Sequence, residues 1–292
     1  MVGTHRLNTR YFQFLFTCIC ISMGISMEGC VNNGTPVESD WKKENLKDKV
    51  KYIRTVIYSA SNNKDTVIRG EEIRPNEEFY NNSGMKTEII KYYSEGLVNQ
   101  KEAYEFDKSF RLINKKVYTA DNHLRFRVQY TYDANGNETE VVYYDYKNTV
   151  TNKMLFTYDS FNHKTAEVNY INGDSLAYRK TFKNDQNGRK IEEFVYNSNG
   201  ELGHTTKYKY DAHGNETELK YFNPDKTANM IIKYHYDTGQ NRTDEVFYRP
   251  DSLIARWNYE YIFDDKGNWT TKTRFMNNNA LDIFERKIEY FK

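Results

Sequence analysis

Cysteine is nearly absent from this chain. Of 292 residues only Cys18, Cys20 and Cys30 are cysteines, so nothing beyond residue 30 can form a disulfide, a thiolate nucleophile or a cysteine metal site. Proline is scarce too, at four residues, which excludes a Pro-rich linker. Aliphatic core material is thin. Hydrophobic residues make up 38%, against roughly 45–50% in ordinary domains, and 26 Tyr, 17 Phe and 3 Trp supply much of that share. A compact α/β enzyme of this length needs more Leu, Ile, Val and Ala, so this composition points to rings packed in a thin layer. Neither sign of charge prevails: removing residues 1–29 takes away Arg6, Arg10 and Glu28 and leaves 40 basic and 40 acidic residues. Basic runs stop at pairs such as Lys42-Lys43 and Lys115-Lys116, which excludes a nucleic-acid partner. One apolar run stands out, Tyr11 to Ile25, and about fifteen residues at 1.5 Å each fall short of a hydrocarbon core of roughly 30 Å.

That run follows His5, Arg6 and Arg10 and ends in the small residues Ser22, Gly24 and Ser26, the build of a secretory signal. Next comes Met27-Glu28-Gly29-Cys30, which resembles a bacterial lipobox. The resemblance implies a lipid on Cys30, a mature chain starting there, and anchoring in an outer membrane. An ordinary signal that ends near a cysteine is the alternative. Val31-Asn32-Asn33-Gly34 lacks the acidic cluster of surface-exported lipoproteins, so the membrane face is left open. The expected organisation is residues 1–29 as signal, 30–49 as polar tether, 50–75 as a degenerate capping hairpin, and 76–292 as a repeat domain.

The repeat is 26 residues long. Its Asx column reads Asn81, Asp107, Asp133, Asp159, Asp185, Asp211, Asp237 and, after one extra residue, Asp264. One and three places earlier, seven of eight residues are aromatic; eleven places later all eight are, from Tyr92 to Phe275. Seventeen places later stand aliphatic residues, from Val98 to Leu281. The aliphatic position and the two aromatic ones before the next Asx are an even number apart, so on a strand they share one face. Each Asp-x-x-Gly phrase closes a turn, with Asx bonding its own backbone and Gly136, Gly188, Gly214 or Gly267 free to take a positive φ. A second turn per repeat, such as Asn199-Gly200, completes two strands per unit. The expected fold is therefore all-β: an antiparallel β-hairpin repeat array of about eight units, roughly 16–18 strands, forming an elongated, twisted or coiled single sheet. Its last strand, with Glu285, Arg286, Lys287 and Glu289, is expected to be a charged edge.

Tyr132-Asp133-Ala-Asn-Gly136, Tyr210-Asp211-Ala-His-Gly214 and Phe263-Asp264-Asp-Lys-Gly267 resemble the phrase of the YD-repeat, or RHS-type, family over about residues 76–292. That family's repeats form a long hairpin strip that coils. The small size and the lack of a cargo domain make the chain look more like short repeat lipoproteins of Bacteroides-like bacteria.

Motifs of catalysis are missing: there is no His-Glu-x-x-His, phosphate-binding loop or Gly-x-Ser-x-Gly. The histidines after the signal, at 123, 163, 204, 213 and 235, occupy different repeat offsets and form no ligand column. Asp133 to Glu138 fails the calcium-loop spacing, with glycine fourth rather than sixth. Glu138, Glu140, Glu192, Glu193, Glu216 and Glu218 recur too regularly for a catalytic pair and read as a solvated face. No catalytic residue, metal or cofactor is expected. The reading is a non-enzymatic envelope lipoprotein presenting an extended repeat surface to a glycan or protein ligand. The alternatives are carbohydrate binding through exposed Tyr and Trp, with Trp269 and Trp257 as ligand-facing candidates, or an accessory or immunity role beside a secreted toxin.

Overall fold

A computed structural model describes residues 37–292 except 65, 95 and 251; the signal and Cys30 lie outside the described residues. One turn of helix, α1 (Asp40–Lys43), precedes the sheet. The first six strands are β1 (Val50–Asn63), β2 (Thr66–Tyr80), β3 (Lys86–Ser94), β4 (Leu97–Phe106), β5 (Leu112–Thr119) and β6 (Leu124–Tyr132). There follow β7 (Glu138–Asp145), β8 (Val150–Tyr158), β9 (Lys164–Ile171), β10 (Ser175–Asn184), β11 (Lys190–Asn197) and β12 (Leu202–Tyr210). The last six are β13 (Glu216–Phe222), β14 (Ala228–Tyr236), β15 (Arg242–Arg249), β16 (Ser252–Phe263), β17 (Trp269–Met276) and β18 (Asn279–Tyr290).

Each strand pairs antiparallel with the next, and β1 pairs with β18 as well as with β2. Ile53 lies opposite Ile288 in one ladder and Glu78 in the other. The sheet is thus a closed 18-stranded antiparallel β-barrel, and the open, coiled ribbon expected from the repeat is wrong. Two further expectations fall with it. Strand β18 is no edge, because β1 covers it. The hairpin of β1 and β2 does not cap the end of an array; β1 is the stave that closes the wall. Eighteen strands about 4.8 Å apart, tilted by the roughly 35–45° that closure requires, make a circumference of about 105–120 Å, so a circular section measures about 34–39 Å across.

Closure has a local cause repeated many times. Every Asx hairpin carries a register shift beside its turn, as between Thr131 and Tyr132, and each hairpin from β3–β4 to β17–β18 at the opposite rim carries another, as between Val117 and Tyr118. A bulge bends its strand and increases the right-handed twist. Compounded around the sheet, that curvature brings the first strand to the last, where unpaired N–H and C=O groups on each satisfy the other.

The segment read as a tether docks at the rim of Asx turns. Trp41 donates its ring N–H to the Val50 carbonyl at 2.8 Å and packs with the buried Leu46, Val50, Ile53 and Tyr80. Asn268 accepts from the Lys47 amide and donates to its carbonyl, both at 2.8 Å, while the Asn45 amide reaches the Gly239 carbonyl at 2.9 Å. Trp41 also donates its backbone N–H to Gly84. Residues 41–50 therefore strap together three Asx turns on both sides of the seam. Gly84, at φ +78°, is pressed against this strap: a Cβ there would sit 2.6 Å from the Trp41 ring. Gly84→Ala is expected to cost about 1–3 kcal/mol, read as a lower Tm, with a red-shifted Trp41 emission as the strap lifts. An unchanged melt and spectrum would mean that the strap is not seated on this turn.

Candidate functional site

The barrel has two polar walls. Strand pairing fixes which residue faces where, because side chains alternate and opposite partners share a wall. Val128, Val141 and Phe156, all buried, mark the inner wall with Tyr130, Tyr143 and Tyr158 around them. Following the ladders from there, the aromatic positions one and three before each Asx line the interior, whereas the column eleven after it, Tyr144 and Tyr170 included, faces outward. Outer cations cover those rings: Arg127 lies 3.7 Å over Tyr144 and Arg179 5.3 Å over Tyr196. Outer carboxylates are clasped by lysines across the ladders, Glu192 by Lys183 at 2.7 Å and Lys207 at 3.3 Å, Glu218 by Lys209 at 2.9 Å and Lys220 at 3.4 Å. A barrel that crosses a bilayer needs an apolar outward band. This outer wall has charges at mid-strand instead.

The acids expected to form one solvated face divide between the walls. Glu140, Glu192 and Glu218 face out, but Glu138, Glu193 and Glu216 face in. The bulge after each Asx turn supplies one extra residue, so Glu138 and Glu140, two apart, land on opposite walls.

At the Asx rim one turn is built eight times. The Asx backbone N–H donates to the carbonyl four residues on, as from Asp133 to Asn137 at 2.9 Å, and the residue three on donates back to the Asx carbonyl. The Asx Oδ1 accepts the N–H four residues later in all eight, Asn81, Asp107, Asp133, Asp159, Asp185, Asp211, Asp237 and Asp264. The third residue on always has positive φ: glycine in five turns, Phe110, Asn162 and Gln240 in the others. The preceding tyrosine hydroxyls donate to carbonyls on the neighbouring strand: Tyr132 to Leu112, Tyr158 to Glu138, Tyr210 to Lys190 and Tyr236 to Glu216, at 2.7–2.8 Å. Asn184, the break in that aromatic column, gives the same bond to Lys164 at 2.8 Å. In five of the eight repeats this position therefore supplies a donor to the neighbouring strand, while Phe106 and Phe263 supply only a ring and Tyr80 donates to Glu44 and Glu78. These Asx side chains are spent on the turn, and among the described residues no three His, Cys, Asp or Glu gather in metal-binding geometry. A shallow groove of about 540 Å³ lies between the turns of Asp237 and Asp264, lined by Lys47, Asn241 and Phe263.

Most of the chemistry lies on the inner wall. Glu102, 2% exposed, accepts from Lys91 at 2.5 Å, Lys115 at 2.6 Å, the Tyr104 hydroxyl at 2.7 Å and the Gln100 amide at 2.8 Å. Burial pushes its carboxyl up, but these donors outweigh burial and hold it at about 2. Lys86 pairs with Glu78, Lys180 with Glu167, Lys190 with Glu193 and Arg242 with Glu245. For Glu138, which faces Lys164 without such bonds, burial dominates and raises the carboxyl. Both tryptophan candidates are also inside. Trp257, 8% exposed, packs 5.4 Å from Phe247, and Trp269 lies edge-on to Tyr261 at 6.4 Å with the Arg286 guanidinium 3.5 Å over its ring. Any ligand they meet must enter the barrel. Lys272 beside them is surrounded by rings, 4.4 Å from Phe284, 5.1 Å from Trp269 and 5.8 Å from Tyr259, and burial, then Arg286 and Arg274, lowers its ammonium to about 8.

Sequence reasoning missed these inner charges, although one signal was there. Five places after each Asx the column reads Lys86, Leu112, Glu138, Lys164, Lys190, Glu216, Arg242 and Trp269. All eight pair with the inward residue that precedes the turn. A mostly charged column opposite tyrosines describes a polar lumen.

The class of protein so defined is an up-and-down barrel with water-compatible walls. No protein-family model matches the chain, and no curated protein matches it. Among solved structures it is similar to a porin-like protein from Bacteroides uniformis, at 10% identity and TM-score 0.44 over 83% of this chain and 99% of that one. It also aligns with a chain of the TcdB2-TccC3-Cdc42 structure, at 12% identity and TM-score 0.36, spanning 73% of this chain and 15% of that one. A putative outer membrane lipoprotein-sorting protein domain from Vibrio parahaemolyticus matches at 6% identity and TM-score 0.26, over 85% and 88%. At such identities and scores these likenesses say nothing of function.

Proposed function

We propose that this chain is a non-enzymatic envelope lipoprotein, held at the outer membrane by lipid on Cys30, whose barrel stands in water and binds a polar ligand on its inner wall. The observation that carries the reading is the chemistry of the two walls. Charged residues at mid-strand outside suit water and not acyl chains, and rings interleaved with carboxylates, ammonium groups and tyrosine hydroxyls inside suit a polar solute with flat faces, such as a glycan. The test is fractionation of cells expressing the full chain or Cys30→Ser. The parent should require detergent for extraction and carry thioether-linked lipid by mass spectrometry; the variant should appear in the aqueous fraction without detergent. A variant that still needs detergent, or ion conductance by the parent in planar bilayers, would replace this reading with a membrane-spanning pore.

A further inference from the structure

The inner wall is not evenly charged. From β2 round to β15 its ammonium and guanidinium groups meet carboxylates: Lys86 has Glu78, Lys91 and Lys115 share Glu102, Lys180 has Glu167, Lys190 has Glu193, Arg242 has Glu245, and Lys164 faces Glu138 and Glu167. On β17 and β18 the carboxylates that reach two of the cations, Glu78 and Glu44 for Arg286 and Glu245 for Lys272, do so without a direct bond. Arg274 takes the Asp282 carboxylate, and that leaves Lys272 and Arg286 with no hydrogen-bonded acceptor among the described residues. Arg286 Nε is buried and unpaired, as is Arg274 Nε. Both cations point into the barrel, since Lys272 pairs with Phe284 and Arg286 with Thr55 on the inner face.

Rings do not compensate for this. Stacking on Trp269, Phe284 and Tyr259 stabilises a cation, but it leaves the N–H groups of the ammonium and the edge of the guanidinium without acceptors. Glu78 and Glu44 act on Arg286, and Glu245 on Lys272, only through space, and the two neighbouring cations repel one another. The Arg286 guanidinium, centred 3.5 Å over the Trp269 ring, keeps N–H donors that the ring does not accept, and a guanidinium can grip two oxygens of one anion.

We propose that Lys272 and Arg286 form an oxyanion-binding subsite on the inner wall, flanked by Arg274 and Trp269, that takes a carboxylate, sulfate or phosphoryl group on a solute entering the barrel. This deepens the inner-wall reading above and rests on it: the class of polar ligand becomes an acidic one, such as an acidic sugar.

The experiment is thermal melting and tryptophan emission of the full chain in mild detergent, with sodium sulfate, sodium glucuronate or glucose added at ionic strength matched with chloride. Two of the three tryptophans, Trp257 and Trp269, lie in the inner wall at or beside the subsite. Sulfate and glucuronate should raise Tm by about 5 °C at roughly a hundredfold excess over Kd and shift the emission. Both responses should vanish in Lys272→Met and Arg286→Met and persist in the outer-wall control Lys207→Met. Lys272→Met should itself melt higher than the parent in chloride, because it removes an unpaired charge while keeping length, so loss of the response would not be loss of the fold. No oxyanion response, or one that survives both substitutions, would overturn the subsite. Stabilisation by glucose alone would overturn it as well, while leaving the inner wall as the binding surface.

Discussion

Excision of residues 133–158, one complete repeat comprising the Asp133 turn, β7 and β8, is expected to lower Tm by more than about 10 °C and to promote association of chains. The deletion is chosen so that every local rule survives. Tyr132 would run directly into Asp159, another Asx turn with the same hydrogen bonds, and β9 would meet β6 as β7 does now. In an open, quasi-linear array such a loss is nearly neutral, because each unit contacts only its neighbours. In a closed wall it is not, because sixteen strands of unchanged curvature no longer bring β1 to β18. The seam would then expose Val50 and Ile53, both fully buried, at roughly 1.5–3 kcal/mol each, and leave two strand edges open to other chains. The strap would suffer too, since residues 41–50 bind the turns of Asp237 and Asp264 on one side and Gly84 on the other. A monomeric, cooperative melt within about 2 °C of the parent would sink the closed barrel.

The second large effect concerns Glu102. Its carboxyl titrates at about 2 in the folded chain, against 4.5 for an ordinary glutamate, so the folded state favours the ionised form. Stability from this group is fully present above pH 4.5 and is lost as pH falls from there toward 2, amounting to about 3 kcal/mol. Glu102→Gln should cost about that much at neutral pH, since it also leaves Lys91 and Lys115 facing a neutral group, and should flatten the acid limb of a Tm-against-pH curve. Glu138→Gln is the contrast. Burial raises that carboxyl, so the same change should be neutral or stabilising at pH 7. Equal losses for the two substitutions, or an unaltered acid limb for Glu102→Gln, would show that the inner wall does not hold Glu102 as described.

Both effects arise from residues that look alike along the chain. Glu102 and Glu105 are three apart on β4, yet one faces four donors inside the barrel and the other pairs with Lys116 outside. Trp269 stood out as a break in the repeat, and the natural expectation was an exposed ring. It is instead held under Arg286, a residue expected to guard an edge. Arg286 cannot do so, because its strand has no edge.

What the sequence by itself determined were features governed by interactions a few residues apart: strand alternation, the eight Asx turns with their positive-φ third residue, and the 26-residue period. Those need only a side chain bonding its own backbone and a chain folding on its neighbour, and the column of Asx residues states them directly. Only the tertiary structure decided closure, the assignment of walls and the docking of residues 41–50. Closure depends on the sum of many small bends, and no single repeat encodes a sum. Wall assignment depends on where each bulge inserts its extra residue, which inverts the parity of everything after it. The cluster of Lys272, Arg274 and Arg286, with Arg286 Nε buried and unbonded, became visible only once the wall assignment placed all three inside the barrel.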